Sequence, residues 1–151
     1  MAHFAATVES TLPQSEAFAY MADFANTQLW DPGVRAARRV GDQPIGVGTA
    51  FDVVARFVGR DVPLRYTIVE FDAPRLIVLE ANGKAFAARD AVTVEASGDR
   101  SSIHYDARLA FNGVGRLFEP VMQVLLMRAT LAPGSFVREP RGRGPWRRTA
   151  Q

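Results

Sequence analysis

Three side chains in this sequence pair useful acidity with apolar neighbours: Tyr66, Tyr105 and Asp90. Tyr66 shares a two-residue period with Leu64 and Ile68, and Tyr105 shares one with Ile103, Ala107 and Leu109. Each phenol therefore falls on the apolar face of its strand. A phenol there can donate a hydrogen bond to a ligand carbonyl or polarise it towards an enol, or it can simply bond backbone or water at a rim. Asp90 has the phase of Val92 and Val94, which sets a carboxylate beside apolar surface, where desolvation raises its pKa and suits it to proton abstraction. The competing reading puts Asp90 at a strand end in solvent. Glu80 and Arg89 are weaker candidates.

Other chemistries find less support. The chain has no cysteine, which excludes disulfides, thiolate nucleophiles and cysteine-bound metals. Its two histidines are His3, near the terminus, and His104, which is out of phase with Tyr105 and so expected to face water. Neither has a second ligand at metal spacing, so no metal site is expected. Ser101 and Ser102 read as part of a turn with no inward histidine to serve them, which argues against a Ser-His-Asp arrangement. The Gly46-x-Gly48 pair is a hairpin turn with no helix behind it, so no nucleotide cofactor, and no cofactor at all, is implied.

The elements that would position these groups can be read from periodicity. Residues His3 to Ser10 suit a first strand, and Pro13 suits the first turn of a helix in which Phe18 and Met21 share a face. Asp23 and Asn26 can each cap a second brief helix that runs towards Trp30 and ends at Asp31-Pro32-Gly33. Beyond Gly33 the period changes to that of strands, separated by turns at Gly46 to Gly48, Gly59 to Asp61, Asp72-Ala73-Pro74, Asn82-Gly83 and Gly98-Asp99. A meander of antiparallel hairpins is expected. After Gly113 and Gly115 a helical period returns, with Leu117, Phe118, Val121, Met122, Val124 and Leu125 on one face, interrupted at Pro120. This is the one long helix available to cover the sheet.

A chain of 151 residues fits a single domain. The formal charge of +2 is unevenly spread: residues 132–151 hold five arginines against Glu139 alone, a net of +4, which leaves −2 on residues 1–131. That tail, rich in Pro and Gly, is expected to be disordered. With no basic stripe on the rest of the chain, no nucleic-acid partner is expected. No stretch stays apolar for the ~20 residues that cross a bilayer, and the N-terminus lacks a secretory pattern, so cytoplasmic residence without stable membrane insertion is expected.

The order strand, two short helices, six strands, long helix resembles the helix-grip fold of the START-like (SRPBCC) superfamily, in particular its polyketide cyclase/dehydrase and lipid-transport group. The resemblance covers residues 1 to about 130. It is carried by Phe18-Ala19-Tyr20-Met21-Ala22-Asp23-Phe24-Ala25-Asn26 with Trp30-Asp31-Pro32-Gly33-Val34, and by Gly46-Val47-Gly48, Tyr66 to Glu70 with Phe71-Asp72-Ala73-Pro74-Arg75, and Asp90-Ala91-Val92-Thr93-Val94. It implies an α+β fold in which a curved sheet of about seven strands wraps around the long C-terminal helix, with residues 1–131 as the domain and 132–151 as the tail. Pro133 and Gly134 end that helix earlier than in similar members, which bears on how the interior closes.

The resemblance also implies an apolar small-molecule ligand, such as a lipid, fatty acyl or polyketide-like compound, held in an internal cavity by a carrier or sequestering protein. Its alternative implication is a cyclase or dehydratase that moves protons with Tyr66, Tyr105 or Asp90. On the sheet side the expected lining is Phe51, Val53, Phe57, Leu64, Tyr66, Ile68, Tyr105, Ala107 and Leu109, met by Phe118, Met122 and Leu125 from the helix. Trp30 either covers the mouth or staples the short helices to the sheet. The sequence leaves the oligomeric state open.

Overall fold

The computed structural model describes residues 2–57, 59–84 and 86–111, together with the pair 146–147. The expected C-terminal helix, with Phe118, Met122 and Leu125, and all of the basic tail except that pair lie outside the described residues.

Strand β1 (Ala2–Ser10) leads into α1 (Gln14–Ala22), a 3₁₀ turn (Phe24–Asn26) and α2 (Thr27–Trp30). The strands β2 (Val34–Val40), β3 (Ala50–Phe57), β4 (Arg60–Asp72), β5 (Leu76–Asn82), β6 (Phe86–Ser97) and β7 (Arg100–Phe111) follow. All pair antiparallel in the order β2-β3-β4-β5-β6-β7-β1, and the two-residue strand β8 (Trp146–Arg147) pairs with Glu9 and Ser10 of β1. The long strands thus form a seven-stranded antiparallel sheet with two short helices, as expected, apart from the undescribed final helix.

Pro13 stands just before α1 with extended backbone (ψ 157°), and its carbonyl accepts the first helical bond from the Ala17 N–H at 2.9 Å. Ala17, Phe18, Met21 and Ala22 then form the buried stripe of α1. Asp23 caps the 3₁₀ turn, its carboxylate accepting from the Ala25 N–H at 3.3 Å. Asn26 does not cap as expected. The 3₁₀ turn runs straight into α2, so Asn26 already has helical angles (φ −69°, ψ −11°), and its amide donates backwards to the Tyr20 carbonyl at 2.9 Å.

Two irregularities shape the sheet. Between Ile68 and Glu70 the β4–β5 register shifts, so that Ile68 faces Leu79 while Phe71 faces Ile77. The bulge at Val69 reverses the alternation and returns Phe71 to the same face as Ile68, where its ring meets Phe18 of α1 at 5.4 Å. A second shift falls between Val34 and Ala36. Bulges strengthen local twist and bend the strand. The curl is visible in the packing: α1 lies on β6 and β7, while the 3₁₀ turn packs on β2 and β3 and α2 on β2. A segment as short as Gln14–Trp30 can reach both regions only if the sheet brings them round towards each other.

The inner, concave face carries the core, including Phe51, Ile68, Ile77, Leu79, Val92 and Val94, all essentially inaccessible. Phe24 is wedged between Phe51 (6.1 Å between ring centroids) and Tyr66 (5.1 Å). Each such aromatic pair adds about 0.5–1.5 kcal/mol beyond area burial, which locks the short helices onto this face. The outer face is charged: Asp52 on β3 bonds both Arg65 on β4 (2.8 Å) and Arg38 on β2 (3.0 Å), and Asp61 pairs with Arg35 and Arg56.

Ser101 and Ser102 belong to β7 rather than to a turn. The β6–β7 hairpin closes with only Gly98 (φ 64°) and Asp99 between Ser97 and Arg100, so pairing starts earlier than the sequence suggested. Ser101 is buried, and its hydroxyl donates to the Leu12 carbonyl at 2.8 Å. Among the described residues, no helix is long and apolar enough to cross a membrane.

Candidate functional site

Asp90 sits in the middle of β6, not at a strand end, and is only 5% exposed. It stands opposite Leu79 on β5 and Ala107 on β7, with Ala88 and Val92 two residues away on its own strand. Tyr105 on β7 is opposite Val92, one diagonal step from Asp90, within reach of a long side chain. Its hydroxyl donates to Asp90 Oδ2 at 2.7 Å, in a buried contact.

Burial pushes the Asp90 carboxyl up to about 7; the Tyr105 hydrogen bond opposes this, and the charges of Asp31 and Asp106 add to it. The Tyr105 phenol is raised well above 10, first by burial and then by the charge of Asp90, so it keeps its proton and remains the donor. Near neutral pH the Asp90 carboxyl therefore populates both forms. Protonated, it can donate a hydrogen bond; ionised, it can accept a proton.

Two further groups complete the cluster. Tyr66 on β4 is 8% exposed and its phenol is raised well above 10 by burial and then by the charges of Asp90 and Asp31. Among the described residues its hydroxyl has no hydrogen-bond partner. Among the described residues no side-chain nitrogen or oxygen that is wholly sealed off lacks a partner, so the Tyr66 oxygen keeps a sliver of accessible surface. Asp31, directly after α2, is half-buried, and burial raises its carboxyl while the Gly33 N–H, donating to Oδ1 at 2.8 Å, lowers it. Asp31 directly follows Trp30, whose ring meets Tyr105, and its charge acts on Tyr66, Asp90 and Tyr105. Trp30, 4% exposed, meets Tyr105 edge to face at 5.3 Å.

Beneath this cluster the sheet is paved with short side chains. Ala81 pairs with Ala88, and Ala107 with Asp90, between the long rings of Tyr66 and Tyr105. Phe51, Val53, Leu64 and Ile68 are buried on the same face, and Ala107 and Leu109 are half-buried at its margin. Phe57 ends β3, and its side chain lies outside the described residues, as do Phe118, Met122 and Leu125.

The weaker candidates Glu80 and Arg89 face away from the cluster and pair with each other across β5 and β6 on the outer face. His104 is exposed and bonds Thr7 at 3.0 Å; His3 is exposed and bonds Asp106 at 2.7 Å. Among the described residues, no three metal-ligating side chains cluster. Asp31 and Phe24 are not among the site residues expected from the sequence, where they enter only as part of the motif that carries the resemblance and, for Asp31, as a helix terminator. The available signal was an acid adjoining Trp30 at the end of an element that had to pack on the sheet.

This fold and its matches define the class: the chain belongs to the polyketide cyclase/dehydrase and lipid transport family, which it matches over residues 1–133, and so to the START-like superfamily. No curated protein matches the chain. Similar solved structures include a protein from Thermus thermophilus, at TM-score 0.68 and 15% identity, covering 83% of this chain and 86% of that one. A START superfamily protein from Mycobacterium smegmatis has TM-score 0.64 and 11% identity, covering 86% and 92%. An aromatase/cyclase from Streptomyces sp. R1128 has TM-score 0.63 and 12% identity, covering 84% and 82%. At these identities the likeness is one of fold.

Proposed function

We propose that the inner face of the sheet receives a small apolar molecule, such as a lipid, fatty acyl or polyketide-like compound, and that residues 1–131 serve as its carrier or store. The observation that carries this reading is the unpartnered hydroxyl of Tyr66, a residue more than nine-tenths buried on an otherwise apolar, aromatic face paved with alanines. Its oxygen keeps some accessible surface within this mostly apolar setting, so a ligand oxygen or nitrogen that enters there can pair with it. In this reading Trp30, Ala107 and Leu109 supply apolar contact, while Tyr66 and the Asp90–Tyr105 pair fix orientation. The carrier acts in the cytoplasm without nucleic acid and without inserting into a membrane.

Mass spectrometry of molecules that co-purify with the protein, followed by displacement with an apolar fluorescent probe, tests the reading. A co-purifying apolar compound that competes with the probe is expected. A delipidated protein with no affinity for any apolar probe removes it.

A second reading, a cyclase or dehydratase, is favoured by one observation: a carboxyl that titrates at about 7 beside a phenol that orients it. Such a group moves protons efficiently at neutral pH, and the neighbour from Streptomyces is an aromatase/cyclase. Asp90→Asn that leaves ligand binding intact while abolishing turnover of a poly-β-carbonyl substrate supports it; unchanged turnover removes it.

A further inference from the structure

We infer that the ligand of this face carries a protonated nitrogen on its apolar body, held by the carboxylates of Asp90 and Asp31 and by the Tyr66 oxygen. The inference rests on the binding reading above and names the chemistry of the guest.

Two carboxyls on separate elements are linked through Tyr105: its hydroxyl bonds Asp90 on β6 at 2.7 Å, and its ring meets Trp30 at 5.3 Å, next to Asp31 after α2. Buried acids are ordinarily paired with a base, because an isolated charge in a low-dielectric interior is strongly disfavoured. Here the only hydrogen bond to Asp90 from a described side chain comes from Tyr105, a neutral group. The described basic residues in inward register are Arg39, opposite Phe51, and Arg60, opposite Phe57. Both lie at ends of strands towards the β2 edge, and neither is among the groups that act on Asp90, Asp31, Tyr66 or Tyr105. Within the described residues the cluster thus holds acid and hydrogen-bonding capacity but no cation.

Tyr66 points to the same guest independently. Among the described residues nothing bonds its hydroxyl, which feels the charge of both acids, and its oxygen can accept a hydrogen bond from N–H. Tyr66 packs with Phe24 and Tyr105 with Trp30, and aromatic surfaces favour a cation through their quadrupoles, more so when water is excluded. A neutral ligand would satisfy Tyr66 but leave the two acids uncompensated. An anion would be repelled by both of them.

The test compares two probes of nearly the same size, 2-(1-naphthyl)ethylamine and 2-(1-naphthyl)ethanol, on the full chain at pH 8, where the amine stays protonated and Asp90 is ionised. The amine should bind roughly tenfold to a hundredfold more tightly, the range of one charge-assisted contact with aromatic support. The preference should shrink as the pH is lowered to 5, and near pH 7 amine binding should release protons to the buffer. Asp90→Asn, which keeps the shape, should abolish the preference, and Asp31→Asn should reduce it. Equal binding of the two probes, or a preference unchanged in Asp90→Asn and independent of pH, overturns the inference but leaves the apolar-ligand reading standing. If neither probe nor any apolar compound binds, the reading itself falls and the inference with it.

Discussion

Asp90 on β6 and Asp52 on β3 are the same residue type in the same sheet, and they meet opposite fates. Asp52, on the outer face, is held below the usual carboxylate range by the hydrogen bond from Arg65, with help from Arg38. Asp90, on the inner face, is driven up to about 7 by burial, and its one described side-chain partner is a phenol. The alternation of a strand decides which of two neighbouring faces a residue joins, and that choice sets its protonation. The outer face is built for solubility, with exposed pairs of opposite charge. The inner face concentrates packing energy and leaves its few polar groups poised.

The sharpest way to break this contrast is to remove packing from each face. Phe51→Ala on the inner face should cost about 3–5 kcal/mol in urea unfolding, because it leaves a cavity against Phe24 that the sheet cannot close. Val69→Ala at the exposed bulge should change stability by no more than about 0.5 kcal/mol. Similar losses at both sites would mean that the inner face is not the core.

Titration gives the next effect and separates the two acids by sign. The folded state binds the Asp90 proton more tightly than the unfolded chain does, so this group favours folding most below pH ~4. Its contribution falls as pH rises through 4 to 7 and is constant above that. A tenfold change in proton affinity is worth about 1.4 kcal/mol, so the loss is at most about 4 kcal/mol. Asp52 behaves oppositely: its contribution is present above the ordinary carboxylate range and is lost as pH falls through the lowered pKa. Unfolding followed from pH 3 to 9 should therefore show a decline between pH 4 and 7 that disappears in Asp90→Asn and persists in Asp52→Asn.

Tyr105→Phe should cost about 1–3 kcal/mol by leaving Asp90 without its buried donor. It should also move the Asp90 transition to higher pH, since that hydrogen bond holds the pKa down. The carboxyl resonance in an NMR titration reads the change directly. Asp52→Asn should give the smallest effect, one that vanishes in high salt, because both of its arginine partners are largely in water.

Most of the inner face is legible in the sequence. Period-two alternation in β3, β4 and β7 correctly put Phe51, Val53, Leu64, Tyr66, Ile68 and Tyr105 on one side, and the hairpin turns set strand order. The phase of Asp90 places it on the inner face but does not show its burial, because phase says which face a residue joins and not how deeply that face is covered. Ser101 was misread because a two-residue hairpin starts its second strand sooner than the cluster of polar residues around it implies.

What the sequence determined by itself is the local pattern: which residues alternate, where Pro13 and Gly98 punctuate the chain, and which family it resembles. These follow from sterics and periodicity within a few residues. Only the tertiary structure decided that Tyr105, fifteen residues from Asp90 along the chain, bonds it, and that α2 brings Trp30, with Asp31 next to it, against the Tyr105 ring. That convergence depends on the curl of the sheet and on the docking of Phe24 between Phe51 and Tyr66, and such long-range geometry leaves no periodic trace in the residues it brings together.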